Sequence, residues 1–246
     1  MNGRWPDIGI ARPAGGGGGP WTPSDDPGLV AWWDATDAAS FTLLAGNKFS
    51  RWRARNNAAI YIEQTTSANQ AVYTGSWIVI ANSVPRYAMI NAPAVQGACV
   101  MTLSNVQETF ACLFARGAYA PAFYLCGESN DFQRYGAGSY GSNSGLAIGS
   151  GRTLVTLPTF CQVGAISYKD GTASGTFAGT TWGASPPDKM LWDGDQARNG
   201  EVHEIIISSS SDVATRQKYE GYLAHKAGLA GKLPAGHPFK AAPPTT

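Results

Sequence analysis

The sequence predicts an all-β fold: two antiparallel sheets packed as a sandwich, with one short C-terminal helix and an extended N-terminal arm. Three observations carry that prediction. Short apolar runs rich in β-branched and aromatic residues recur along the chain, bounded by Gly, Pro, Asn and Asp. Thirty glycines, 15 prolines and only 14% charged residues suit many short strands joined by tight turns. Helical periodicity is scarce before residue 212. With 246 residues the chain can bury one sizeable core, so the economical division is an arm over 1–20, a sandwich over 21–240 and a tail over 241–246.

The arm comes first. It runs to five consecutive glycines and Pro20, a composition that makes no core and has the highest entropy cost when ordered. Trp5, Ile8 and Ile10, with Arg12 beside them, are anchors that a neighbouring chain could bury; the plainer reading is a linker packing on its own domain. Strands are expected at 31–33, 58–62, 77–80, 87–90, 99–103, 109–114, 122–126, 145–149 and 160–168. Lys169-Asp-Gly-Thr172 is a hairpin signal, because Asp-Gly accepts the positive φ angles of a type I′ turn. Val202 and the run Ile205-Ile206-Ile207 predict a strand covered on both faces. For the helix, Asp212 is the expected N-cap. Tyr219, Tyr222, Leu223 and Lys226 lie on one face toward the sheet, and Gly228 supplies the C-terminal cap before Pro234.

Two segments resemble a known family. Tyr219-Glu-Gly-Tyr-Leu-Ala-His-Lys226, continuing to His237-Pro-Phe239, is similar to the C-terminal signature of concanavalin A-like, laminin-G-like jelly-roll domains carried by phage virion proteins and some bacterial surface proteins. Pro27-Gly-Leu-Val-Ala-Trp-Trp-Asp-Ala-Thr-Asp37, followed by Phe49-Ser-Arg-Trp-Arg53, resembles the family's opening strand. Ala227 departs from the pattern, which has an aromatic there. The resemblance implies a jelly-roll sandwich over roughly 21–240, and both signatures mark a fold and carry no catalytic chemistry.

A net charge of +1 supplies no broad field for nucleic acid or anionic lipid. Arg51, Arg53 and Arg55 are a local exception. On a strand they share one face, read as a solvated face, with a phosphate or acidic-partner site as the competing reading. No apolar run approaches the length that crosses a bilayer, and the N-terminus has no basic segment followed by an apolar one; synthesis in a host cytoplasm without a signal peptide is expected.

Cys99, Cys112, Cys126 and Cys161 sit in apolar runs and lack paired zinc spacing, so buried free thiols are expected, with disulfides as the alternative. His203, His225 and His237 fall in no metal-binding or nucleophile-activating motif. In Glu201-Val-His-Glu204 the two carboxylates are three apart and face opposite ways on a regular strand, against a glycosidase pair. No enzyme, no cofactor and no metal is therefore expected. A sugar site needs only aromatic platforms and polar groups on loops. Trp182, Trp192, Asp193, Asp195 and Asn199 supply one such set and Asp131, Tyr135 and Tyr140 another, unless the tryptophans merely plug the sandwich edge. Asp193-Gly-Asp195 is a weak calcium signal.

The expected function is a non-enzymatic accessory structural protein of a phage or phage-like virion, in head decoration, collar or tail. It would dock through its arm onto other virion proteins and repeat as a homo-oligomer. The alternative is a carbohydrate-binding adhesion module for host surface polysaccharide.

Overall fold

The computed structural model describes residues 18–80, 87–95, 98–106, 112–115, 122–124, 134–136, 139–140, 152–157, 166–176, 186–192 and 200–246. The first strands are β1 (Leu29–Asp34), β2 (Phe41–Leu43), β3 (Phe49–Arg53), β4 (Tyr61–Glu63), β5 (Val72–Tyr73), β6 (Ile78–Ile80) and β7 (Tyr87–Ile90). Next come β8 (Cys99–Val106), β9 (Cys112–Ala115), β10 (Ala122–Tyr124), β11 (Arg134–Gly136), β12 (Ser139–Tyr140) and β13 (Thr153–Leu157). The chain then forms β14 (Ile166–Lys169), β15 (Thr172–Thr176), β16 (Lys189–Trp192), β17 (Gly200–Ser208) and the helix α1 (Val213–Lys226).

These strands form two sheets, both antiparallel throughout the described residues. One has eight strands in the order β15-β14-β13-β8-β17-β6-β5, with β1 also paired to β17; the other has nine, in the order β12-β11-β10-β9-β16-β7-β4-β3-β2. The expected two-sheet sandwich with one C-terminal helix is what forms. The expected strand at 145–149 lies outside the described residues, as do parts of those at 109–114, 122–126 and 160–168. At 58–62 only the last two residues are extended, because Ala58, Ala59 and Ile60 turn and the Ala54 N–H closes onto the Ile60 carbonyl.

Alternation explains the double tryptophan of β1. Ala31 and Trp33 face the core between the sheets, while Trp32 and Asp34 face α1. β17 does the same with its three isoleucines: Ile205 and Ile207 enter the inter-sheet core, and Ile206 packs beneath the helix. A cross-strand row Trp32–Ile206–Met101–Thr156–Tyr168 thus runs under α1. The inter-sheet core is aromatic at the β2–β3–β5 end. Phe41 stacks on Trp52 and on Tyr73 at ring separations of 5.2 and 4.2 Å, and Phe49 stacks on Tyr87 at 4.7 Å. The Tyr87 hydroxyl donates to the Phe49 carbonyl and accepts from the Ala71 N–H, so the buried phenol is satisfied.

The turns obey their sequences. Asp170 and Gly171 take φ of 48° and 80° between β14 and β15, the paired positive angles of a type I′ turn. Asp212 caps α1 by accepting from the Thr215 N–H at 2.9 Å. At the other end Gly228 (φ 71°) donates to the His225 carbonyl and Leu229 to that of Ala224, the two bonds of a Schellman cap. Ala227, where the signature has an aromatic, is buried beneath the helix end with Trp21, Trp32 and Leu223. The chain ends meet: Trp21 donates to the Pro244 carbonyl and Thr246 to that of Gly19, both at 3.0 Å. Among the described residues no helix is long and apolar enough to cross a membrane.

Candidate functional site

The two faces of the sandwich differ in kind. The outer face of the eight-stranded sheet is packed by α1 over its β8 and β13 part, and ionisable groups of β1 and β17 join helix to sheet there. Trp32 Nε1 donates to Glu204 Oε1 at 2.6 Å, and Lys226 Nζ lies 2.7 Å from Glu204 Oε2 and 2.8 Å from Asp34 Oδ2. Arg55 Nη1 reaches Asp34 Oδ2 at 3.0 Å while its guanidinium lies over the Trp32 ring. Both carboxylates are 1% exposed. Burial pushes Glu204 up to about 7, with Lys226 opposing and Asp34 adding to the rise. Burial works the same way on Asp34, yet the Lys226 ammonium and the Thr36 hydrogen bonds outweigh it and hold Asp34 below the ordinary carboxylate range. For Lys226, burial lowers the ammonium and the two carboxylates more than restore it.

Two further clusters fix the same helix. Asp26 accepts from the hydroxyls of Ser208 (2.5 Å), Tyr219 (2.7 Å) and Ser210 (3.0 Å) and from the Gly28 N–H. Burial raises its pKa, but these donors win and leave it lowered. Glu220 is held between Arg216 at 2.6 Å and His237 at 3.1 Å, with the Arg216 guanidinium over the Tyr168 ring. His225 Nε2 bonds the Phe239 carbonyl at 2.8 Å, and Phe239 lies on the side-chain-free face of Gly221. Each polar residue of the C-terminal signature therefore has a structural partner. The sequence placed Lys226 on the sheet-facing side but did not show Asp34 and Arg55 as its neighbours, nor Asp26 and Glu220 as the centres of two separate clusters. The signal was available, since a lysine aimed into a sheet demands a buried carboxylate.

The outer face of the nine-stranded sheet is different. Its cross-strand register runs Arg51–Glu63–Ala88–Lys189–Ala115–Ala122–Tyr135–Tyr140, with a second row Arg53–Tyr61–Ile90 beside it. Trp52, Ile62 and Met89 alternate with these positions and are buried, and Ala88 is exposed, which fixes the rows as outward. Arg51 binds Glu63 Oε2 through Nε at 3.1 Å and Nη2 at 2.5 Å, and its guanidinium covers the Tyr61 ring at 4.2 Å. Lys189 lies 3.6 Å from Asp188. Arg53 has no ion-pair partner among the described residues. Of the three arginines expected on one strand face, Arg51 and Arg53 share it. Arg55 lies past the end of β3 and turns back to Asp34.

The expected sugar-site residues separate accordingly. Tyr135 and Tyr140 occupy register positions on the outward row, and Trp192 ends β16. Asp131, Trp182, Asp193, Asp195 and Asn199 lie outside the described residues, as do the arm residues Trp5, Ile8, Ile10 and Arg12. Cys99 is buried and free, its thiol pushed up by burial. Cys112 sits in β9, and Cys126 and Cys161 lie outside the described residues.

One premise is overturned. In β17, Val202 pairs with Ser104 and Glu204 with Leu103, so His203 is an extra, bulged residue. The parity reverses across it: Val202 and Ile205, three apart, both enter the inter-sheet core. Glu201 and Glu204 therefore hold positions on the same face, and the argument that their spacing separates them fails.

No protein-family model matches the chain, and no curated protein matches it in sequence. Solved structures do match in fold. Trypanosoma rangeli sialidase with 2,3-difluorosialic acid, a covalent intermediate, aligns over 78% of this chain and 32% of that one, with a TM-score of 0.50 and 14% identity. The same organism's sialidase with 2,3-difluoro-KDN gives 0.51 and 12% identity over 78% and 32%. With the inhibitor DANA it gives 0.50 and 13% over 80% and 34%. The chain thus spans about a third of the length of the sialidases it matches, and at this identity the likeness is one of fold. It bears out an all-β sandwich compatible with a concanavalin A-like fold and lends no support to a phage origin. It also corrects the expectation of a non-enzyme, because the chains that contain this fold are sialidases. Motifs local in sequence do not exhaust the possibilities, because strands far apart in the chain can bring carboxylates together.

Proposed function

We propose that the chain is a carbohydrate-binding β-sandwich that presents the outer face of its nine-stranded sheet to a glycan. The observation carrying this reading is the division between the two faces. One is closed by α1 and its ion network, and the other displays exposed Ala88 among charged and tyrosine positions. The fold likeness to sialidases solved with sialic acid derivatives supports a glycan as the ligand class. A face that carries charged, tyrosine and alanine positions suits a sugar chain, whose C–H faces want apolar contact and whose hydroxyls want hydrogen bonds. A glycan-array screen of the full chain tests it: binding at millimolar sugar or below is expected, and silence across the array overturns the reading. Release of reducing ends from a bound glycan would extend binding to cleavage.

A second reading places the module on a phage-like particle, in head decoration, collar or tail, with residues 1–20 as its docking arm and repeated copies set by the particle's symmetry. Beyond the sequence resemblance, one observation favours it. Gly19 and Trp21 pair with Thr246 and Pro244, and Trp21 packs on Tyr219 of α1 at 4.9 Å. Residues 19–21 are thereby held on the helix side, away from the proposed glycan face. Deleting residues 2–17 is expected to abolish incorporation into particles while thermal unfolding stays unchanged; undiminished incorporation refutes the docking role.

A further inference from the structure

The row Arg53–Tyr61–Ile90 on the outward face places a cation, an aromatic ring and an aliphatic side chain on three successive strands, at about 4.8 Å per strand. Its chemistry is amphipathic along its length. Arg53 is the distinctive member. Of the cations this face carries among the described residues, Arg51 is engaged by Glu63 on two nitrogens and Lys189 has Asp188 at 3.6 Å. Arg53 is half-buried and has no carboxylate partner among the described residues. A guanidinium in this state keeps its planar fork of donors, whose geometry matches a carboxylate bidentately. The neighbouring Tyr61 ring is already held by Arg51 at 4.2 Å, so the platform beside the fork is fixed before any ligand arrives.

Resting on the glycan reading, we propose that this face selects acidic polysaccharide. The carboxylate of a uronic or other acidic sugar would pair with Arg53 while the sugar ring lies along Tyr61 and Ile90. The chain would continue across exposed Ala88 toward the alanine positions 115 and 122 and the tyrosine positions 135 and 140. A neutral glycan leaves the Arg53 fork unpaired in a partly desolvated site. Inserting a matched carboxylate removes that cost, so discrimination arises from the ligand's charge as well as from its shape. The small overall charge of +1 keeps the selection local, since there is no broad positive field to gather any polyanion.

The experiment uses the full chain and four probes: polygalacturonate, hyaluronan, and the methyl-esterified form of each, in which the backbone is kept and the carboxylate charge removed. Titration calorimetry in 150 mM salt is expected to show binding to at least one acid polymer, weakened tenfold or more by esterification. Arg53→Gln is expected to lower the affinity for that acid polymer by a similar factor, with its melting temperature unchanged. The control Lys218→Gln, on the helix side, leaves it within twofold. Equal binding of acid and ester, or an Arg53→Gln variant that binds the acid polymer as the parent does, overturns the selection for acidic sugar and leaves the glycan reading standing. Binding to neither acid polymer, with neutral glycans retained on the array, has the same meaning. Silence on the polymers and the array together removes both. Displacement of the acid polymer by duplex DNA at equal charge concentration also overturns the proposal, because it reports unselective anion binding.

Discussion

Replacing Lys226 by Met isolates the energetics that join the helix to the sheet. The substitution keeps a flexible apolar stem of similar length and deletes one ammonium, which lies 2.7 Å from Glu204 and 2.8 Å from Asp34, each 1% exposed. Asp34 retains Arg55 at 3.0 Å, and Glu204 retains the Trp32 indole N–H. Stranding a buried charge by removing its partner costs about 3–5 kcal/mol. The surviving donors argue for the lower end, about 3 kcal/mol at pH 8. With a urea m-value of about 2–3 kcal/mol/M for a domain of this kind, the unfolding midpoint should fall by about 1–1.5 M. The pH dependence gives the sharper signature. Glu204 titrates near 7 in the folded chain, above its unfolded value, so the native state takes up a proton more readily than the unfolded one between those limits. Glu204 in its charged form therefore lowers stability above pH 7, and that burden lightens as pH falls through the window. Without Lys226 the burden is heavier, so the cost of K226M is greatest at pH 8 and shrinks toward pH 5. Urea denaturation followed by tryptophan fluorescence at both pH values reads the effect, and adding Glu204→Gln should recover most of it. A cost below about 1 kcal/mol at pH 8, or one that does not change with pH, would refute the reasoning.

Three further outcomes follow from the same geometry. Gly221→Ala places a Cβ 2.5 Å from the Phe239 Cβ, and overpacking of this kind should cost about 1–3 kcal/mol in the same denaturation assay. Asp212→Ala removes the acceptor for the Thr215 N–H and should cost about 1 kcal/mol; the carboxylate is nearly fully exposed, so Asp212→Asn should restore most of it. Cys99, buried and with its thiol pushed up, should resist iodoacetamide in the native chain at pH 8 and become modified within minutes in 8 M urea; peptide mapping distinguishes the two.

The elements most legible in the sequence were those where a local rule and the tertiary environment agree. Asp212, Gly228 and the Asp170-Gly171 turn depend on neighbours within a few residues, and each adopts its expected conformation. The isoleucine run announced a strand buried on both sides because no other setting accepts three in succession. What escaped is what depends on partners far along the chain. Asp26 meets Ser208 and Tyr219 across more than 180 residues, and Asp34 meets Lys226 only because β1 lies beside β17 beneath the helix. The bulge at His203 was equally invisible. Val-His-Glu has no glycine or turn residue to announce it, and the register against β8 alone decides which of two faces Glu201 takes. The outward row on the second sheet was half legible. The arginine spacing was plain, but which of them would be neutralised turned on Glu63 and Asp34 arriving from other strands.

The contrast between the two sheets is an argument about where recognition can occur. Beneath α1, seven ionisable side chains (Asp26, Asp34, Glu204, Arg216, Glu220, Lys226 and His237) are bonded to one another or to hydroxyl, indole and ring partners. Three buried clusters satisfied in this way fix the helix placement, and opening them to admit a ligand would strand charges at several kcal/mol each, about the whole stability of a marginal domain. That face is therefore committed to holding the fold together. On the opposite sheet the cost runs the other way: Arg53 carries donors that a ligand can satisfy, beside a ring already immobilised by Arg51, so binding there completes interactions without breaking any. The C-terminal signature and the proposed glycan face are for this reason different sets of residues on opposite sides of the sandwich, whereas the opening signature reaches the open face through Arg51 and Arg53.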